Sequence, residues 1–281
     1  MKTGITGATG QLGQLVVEQL KKRTNANDVV ALVRNTDKAA SLDIEARAFD
    51  YAKPDLLEDA LKGIDHLLLI SGNEFGQRVA QHVNIIEAAK AAGVKWIVYT
   101  SLLHADKSSL SLAPDHFETE QALRSSGVAY TILRNGWYTE NYTNSVKGAV
   151  AGGAFIGSAG EGKISSAARA DYAEAAAVVL TTQGHEGKTY ELAGDSAYTL
   201  TDLAAEISRQ IGKDIPYNNL PEEKYAAILQ QFGLPEFFAK AFASWDTGAS
   251  KNDLYDEGKQ LSTLIGHATT PLAVSVQQAL V

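Results

Sequence analysis

Seven residues near the start, Gly7-Ala8-Thr9-Gly10-Gln11-Leu12-Gly13, constrain this chain more than any other stretch. They follow a short first strand and open a helix in which Leu12, Leu15, Val16 and Leu20 form one apolar stripe. Three glycines at such a junction have separate uses. The first permits a tight turn where a side chain would clash. The second lets backbone amides approach a pyrophosphate, and the third lets helix and strand pack closely. The helix N-terminus offers free N–H groups and a partial positive charge to an anion. With a second strand about twenty residues on, the context is that of a dinucleotide-binding turn rather than of a ligand-free glycine turn. Gly4 fits the first strand poorly, since a strand interior ordinarily favours an apolar side chain.

The first half alternates short apolar runs with helical patterns, as βαβ units of a parallel sheet do. Val29–Val33, Leu67–Ile70, Trp96–Tyr99 and Tyr130–Leu133 read as buried strands, and Ile44–Phe49 alternates like a strand nearer an edge. Val83, Ile86, Ala89 and Lys90 mark a second helix closed by Gly93, and Pro114-Asp115 opens a third. Five alternations by residue 135 predict an α/β fold with a doubly wound, mainly parallel Rossmann sheet. Residues 1–135 form the core of its nucleotide-binding domain. Residues 136–281 are expected to complete the sheet in part and to form a smaller C-terminal substrate lobe. There the glycines between 148 and 162 suggest loops with short strands. Asp171 starts an alanine-rich helix, Tyr190–Leu192 resembles a strand, Leu200–Ile211 is a helix behind a Thr/Asp cap, and 221–246 is helical.

The second strand ends at Arg34, where NAD-selective sites place an acid for the ribose 2′-hydroxyl. An acid would repel a 2′-phosphate, whereas arginine can grip it bidentately. Arg34, with Lys38 nearby, therefore favours NADP(H), against the plainer role of a solvated strand-end charge. Asp50, after the third strand, can hydrogen-bond an adenine or serve as a surface turn residue, and the sequence leaves both open. Ser71-Gly72-Asn73 follows the fourth strand at the edge where such sheets bind ligands.

The net charge of −8 and the lack of a long basic run argue against a nucleic-acid partner. The chain has no cysteine, which removes thiolate chemistry, iron–sulfur clusters and cysteine-based zinc sites and fits a reducing cytoplasm. His66, His82, His185 and His267 are scattered and unpaired, so no metal is expected. No signal-peptide pattern opens the chain, and no apolar run is long enough to span a bilayer. A cytoplasmic location with no membrane partner is the expectation.

Seven separated motifs, TGATGQLG, LVRN, LLLIS, AAKAAGV, YTSLLHAD, LRNGWYTENY and YELAG, resemble the NmrA-like branch of the atypical short-chain dehydrogenases. Within it the resemblance is greatest to the bacterial NADPH:quinone oxidoreductase 2 group, with triphenylmethane-dye reductases as near relatives. It implies NADPH on Gly7–Leu12, the 2′-phosphate on Arg34, and no flavin. It also implies that the loop Ser71–Gln77 and the segment Trp137–Tyr142 line the nicotinamide and acceptor pocket. Gln77 and Tyr138 thereby join the cofactor-binding candidates.

Ordinary short-chain dehydrogenases carry a Tyr-x-x-x-Lys pair just beyond the fifth strand. Here Leu103 stands four residues after Tyr99, and the downstream helix His116-Phe117-Glu118-Thr119-Glu120 lacks the pair too. Tyr255 and Lys259 have the spacing but lie far too late in the chain. The absence has a chemical meaning. Hydride transfer to a ketone makes an alkoxide whose conjugate acid resembles water, at about 16. Transfer to a quinone makes an aryl oxide, like a phenol at about 10, so the need for a positioned acid falls by roughly 8 kcal/mol. Quinones or similar planar acceptors, the substrates that the resemblance implies, therefore need such an acid much less than a ketone does. Catalysis would come mainly from holding the nicotinamide against the acceptor.

His104 follows the fifth strand, and Trp137, Tyr138 and Asn141 follow the sixth, so these four are the candidates to orient an acceptor. Trp137 and Tyr138 could equally be core packing. His104 could be structural, solvated or a proton donor. Arg169-Ala170-Asp171 is expected to cap a helix. The alternatives are a reductase of dyes and a non-catalytic NADP(H) sensor that binds a protein partner, since a dead enzyme would also lack the Tyr-Lys pair. A sugar-nucleotide epimerase is disfavoured because its carbonyl chemistry needs that pair.

Overall fold

The computed structural model describes residues 1–281. A seven-stranded sheet is built from β1 (Thr3–Thr6), β2 (Val29–Val33), β3 (Glu45–Ala48), β4 (His66–Leu69), β5 (Trp96–Leu102), β6 (Ala129–Asn135) and, after a short strand β7 (Phe155–Gly157) outside it, β8 (Thr189–Leu192). Its order is β3-β2-β1-β4-β5-β6-β8. Each pair from β3 through β6 is parallel. The chain winds outward from β1 to β3, then restarts beside β1 with β4. This is the doubly wound sheet expected from the alternating pattern, with its switch point between β1 and β4.

Burial explains the strand sequences. All five residues of β2 are buried, as a continuous apolar run covered on both faces should be. Edge strand β3 is at most half-buried, which its Glu-Ala-Arg-Ala alternation allows. Gly4 also finds its reason here. A Cβ on it would stand 2.9 Å from a Leu32 methyl and 3.2 Å from Ile64, so the neighbours fill its place.

The crossovers are less regular than five strand–helix alternations. A 3₁₀ stretch, Thr36–Leu42, joins β2 to β3, and a 3₁₀ turn, Pro54–Leu56, runs into a five-residue helix, Leu57–Leu61, between β3 and β4. The first helix (Gln11–Arg23) packs on the alanine-rich helix Arg169–Thr181, with Arg23 paired to Glu174 at 2.7 Å. That second helix begins at Arg169, so Arg169–Asp171 are its first turn. In the helix Arg78–Ala91 the buried face is Arg78, Gln81, His82, Ile85, Ile86 and Ala89. Val83 is half-buried and Lys90 exposed, contrary to the expected stripe. The polar residues on that face explain the shift: they are buried because they bond to a loop, as described below.

The chain forms two compact units. One comprises 1–106, 114–135 and 169–191; the other 107–113, 136–168 and 192–281. In the second unit β7 pairs in parallel with β9 (Tyr217–Asn219). The glycine-rich stretch is only partly loop, because Val146–Gly152 is helical and stops at Gly153, whose φ is 79°. The helix Leu200–Ile211 starts with the expected cap, Thr199 and Asp202 forming a reciprocal capping box. Residues 222–249 make two helices, Glu222–Gln231 and Glu236–Ala249, broken before Pro235.

Buried Asp246 lies inside the second unit. The Tyr142 hydroxyl donates to Oδ1 at 2.9 Å and the Ser158 amide to Oδ2 at 2.9 Å. Burial outweighs these bonds and pushes the carboxyl up from 3.8 to about 6.

Two predictions follow from this packing. A Cβ at Gly13 would sit 2.3 Å from the Gly7 carbonyl oxygen and 2.7 Å from Ala8 Cα. Gly13→Ala should therefore cost about 1–3 kcal/mol in chemical unfolding; an unchanged midpoint would refute the close-packing account. For Asp246, the unfolded chain ionises first as pH rises. Stability from the protonated form is complete below about pH 4 and lost through about pH 6, a fall of about 3 kcal/mol. Asp246→Asn should lack that fall, and parallel pH–stability curves for the two proteins would contradict it.

Candidate nucleotide-binding site

The glycine turn is assembled as its residues suggest. Gly7 has φ 59°, a left-handed value that a side chain would resist. Its amide donates to the Leu32 carbonyl at 3.1 Å, and its carbonyl accepts from the Gly10 amide at 2.8 Å. Gly10 begins the first helix, and no side chain caps that end. The N–H groups of the first turn thus face outward with the positive end of the helix dipole behind them.

A cleft of about 690 Å³ opens at the carboxyl ends of the strands within the first unit. Of the sequence candidates, Gly7, Thr9, Gly10, Arg34, Asp50, Ser71, Gly72 and Asn73 line it. Ala8, Leu12 and Gly13 lie beneath its floor, buried in the packing of helix on turn. Gln11 is exposed on the first helical turn, and Gln77 is exposed where the helix Arg78–Ala91 begins. Neither belongs to the lining.

Lys38, singled out from the sequence beside Arg34, lines the cleft too, and further lining residues were not singled out. Gln14 stands one helical turn after Gly10 and donates to the Thr9 carbonyl at 2.8 Å, so helical spacing could have found it. Lys38 and Asn35 flank the Arg34 rim, and Glu74 and Gln81 close the opposite side. Tyr51 donates to the Ile70 carbonyl at 2.8 Å and lies 2.5 Å from Thr6 Oγ1, while the Ile70 amide donates to that same Thr6 oxygen. The ring ties the ends of β1 and β4 together under the cleft. Burial keeps the Tyr51 hydroxyl protonated well above its ordinary range.

The loop Ser71-Gly72-Asn73 is pinned from below. The Ser71 amide donates to Thr100 Oγ1 at 3.0 Å and the Gly72 amide to His82 Nε2 at 2.9 Å. Arg78 Nε donates to the Gly72 carbonyl at 2.8 Å, and Nη1 pairs with Asp115 at 2.9 Å. His82 Nε2 must accept, so its proton is on Nδ1, which contacts Thr119 Oγ1 at 3.1 Å. Burial, reinforced by the Arg78 charge, lowers the ring to about 3 and keeps it neutral. His82, expected only to have no metal-ligating partner, thus has a structural hydrogen-bonding role. His185 is likewise hydrogen-bonded, to Thr182 and Tyr190.

Asp50 lines the cleft and also accepts from the Ala52 amide at 3.1 Å, as a turn residue does. The four acceptor-orienting candidates are not on the lining. His104 adopts φ 54°, its amide donates to Glu191 Oε2 at 2.9 Å, and its Nδ1 lies 3.6 Å from that oxygen. Burial would raise the Glu191 carboxyl, but hydrogen bonds from His104 and Arg134 outweigh it and hold it at about 2. In the second unit Trp137 is 7% exposed and packs edge-to-face on Trp245 at 5.7 Å. Tyr138 is half-buried, bridged to Ala167, and its carbonyl accepts from the Asn141 amide at 2.9 Å.

Comparison with known proteins agrees with this geometry. Residues 7–183 match the model of a family described as NAD(P)H-binding. Over 275 residues the chain is 58% identical to quinone oxidoreductase 2 of Escherichia coli K12, covering 97% of this chain and 96% of that one. The crystal structure of the Escherichia coli NADPH-dependent quinone oxidoreductase complexed with NADPH superimposes with a TM-score of 0.97 at 56% identity, over 99% of this chain and 100% of that chain. Triphenylmethane reductase of Citrobacter sp. complexed with NADP(H) gives a TM-score of 0.96 at 38% identity, over 99% and 100%. With the glycine turn, the switch-point cleft and this match in agreement, the chain belongs to the NAD(P)H-binding family.

Proposed function

We propose that this protein is an NADPH-dependent quinone oxidoreductase that transfers hydride directly, without a flavin. The observation that carries the reading is the 58% identity to quinone oxidoreductase 2 along nearly the whole of both chains. The first unit's cleft supports it. A Cβ at Gly13 would press into the Gly7 carbonyl, and the helix end above it is uncapped, so the turn is shaped for a pyrophosphate.

In this reading the amides of Thr9–Leu12 hold the pyrophosphate, with Gln14 steadying the turn through the Thr9 carbonyl. Arg34 and Lys38 take the 2′-phosphate, Asp50 the adenine, and Ser71–Asn73 run beside the nicotinamide end. NADPH, when bound, supplies a hydride from its nicotinamide C4. Residues 136–281 complete the sheet in part and otherwise form the substrate lobe, in which the second unit's Trp137, Tyr138 and Asn141 orient a planar acceptor. His104 is held by Glu191 and anchors the loop after β5. The product aryl oxide is stable enough to take its proton from water, so two electrons and one proton arrive as hydride and the second proton comes from solvent. The missing Tyr-Lys pair is then no defect.

The decisive assay follows NADPH oxidation by purified, flavin-free protein with a small benzoquinone, subtracting the non-enzymatic rate, with NADH in parallel. Rapid NADPH-selective, quinone-dependent turnover is expected. Tight NADPH binding without turnover on quinones would favour the sensor reading, and turnover on dyes alone the dye reductase. Arg34→Glu should weaken NADPH binding about 10–100-fold, the scale of lost charge-assisted hydrogen bonds, and NADH binding far less. An unchanged preference would remove Arg34 from the 2′-phosphate site.

A further inference from the structure

Arg34 is not an idle cation. Its Nη1 lies 3.5 Å from Glu74 Oε1, and both side chains line the cleft. Glu74 is fixed from its other side, because Oε2 accepts from Gln81 Nε2 at 2.7 Å and Gln81 is only 6% exposed. The helix Arg78–Ala91 thus holds a carboxylate against the guanidinium expected to meet the 2′-phosphate. The charged side chains on the cleft wall are Arg34, Lys38, Asp50 and Glu74, so positive and negative cancel.

We infer that Glu74 is a competing counter-ion for Arg34: it pairs with the guanidinium, weakens recognition of a 2′-phosphate, and so sets how strongly the site prefers NADP(H) over NAD(H). The inference rests on the NADP(H) reading above. A phosphate monoester brings nearly two negative charges. To use Arg34 fully it must break the pair. A nucleotide with a free 2′-hydroxyl leaves the pair in place. The effect therefore falls on 2′-phosphorylated nucleotides alone. It acts through Arg34, and salt screens it, because both partners are substantially exposed.

The test uses adenosine 2′,5′-bisphosphate and 5′-AMP, which differ only in the 2′-phosphate. Calorimetry would compare the full-length protein with Glu74→Gln, Arg34→Ala and the double variant. Glutamine preserves an oxygen for Gln81, so the loop stays in place. Glu74→Gln should bind the bisphosphate roughly two- to fivefold more tightly, the scale of an exposed ion pair, with 5′-AMP unchanged. In the Arg34→Ala background the gain should vanish. Equal tightening of both nucleotides, no tightening of either, or a gain that survives Arg34→Ala would each overturn the inference while leaving NADP(H) binding intact. A parent protein that does not distinguish the two nucleotides would overturn both.

Discussion

The near-contact between Gly13 and the Gly7 carbonyl governs the geometry of the nucleotide-binding half of the molecule. A helix can start that close to the strand before it only if one residue on its inner face lacks a Cβ. Once seated, its N–H groups point out of the sheet edge instead of into a neighbouring side chain. The consequences spread outward. The Gly7 amide bonds to Leu32, which aligns the end of β2 and so fixes where Arg34 leaves the sheet. On its other side the first helix rests on Ala-rich Arg169–Thr181, whose small side chains permit close approach without displacing the helix.

The opposite wall is held by a different means. No glycine packing fixes Ser71–Asn73; a buried polar network does. Thr100, His82 and Arg78 together satisfy two amides and one carbonyl of the loop. Each would otherwise be an unpaired group near the protein interior, costing about 1–3 kcal/mol. Because His82 can accept from Gly72 only when neutral, the same burial that depresses its proton affinity keeps the loop in place. With both walls held by the fold, a ligand need not order them, which reduces the entropic cost of binding.

Features of the site written in local sequence were legible in advance, while those made by tertiary contact were not. The glycine turn, the strand-end arginine and the strand-end loop after β4 all have local signatures, and all three line one cleft. Glu74, Gln81 and the His82–Thr119 pair have none. They lie on a loop and on helices, and their roles appear only when the helix Arg78–Ala91 is laid under β4 and β5. That helix also misled the periodicity, because buried Arg78, Gln81 and His82 break the apolar stripe that periodicity counts. Glycine content misled in the other direction. Gly148 and Gly152 sit within a helix where a Cβ would meet nothing, so they tell of no turn at all.

At the far end of the sheet, charge replaces packing. Arg134 gives Nε and Nη2 to Glu120 at 2.9 and 2.8 Å, and Nη1 to Asp106 and Glu191 at 2.5 and 2.7 Å. Glu120 is fully buried and also accepts from Ser101 at 2.6 Å. Against an apolar cluster of the same volume such an arrangement adds little or no net stability, because desolvating the charges offsets their attraction. Its effect is geometric. A guanidinium with four of its N–H bonds committed in a plane accepts few displacements, and Glu191, fixed by it, in turn takes the His104 amide. His104 is held at a positive φ that an L-residue rarely adopts, and that cost is met by the bond to Glu191. The loop after β5 therefore has its shape imposed by the ion cluster around Arg134, as the loop after β4 has its shape imposed by a neutral histidine.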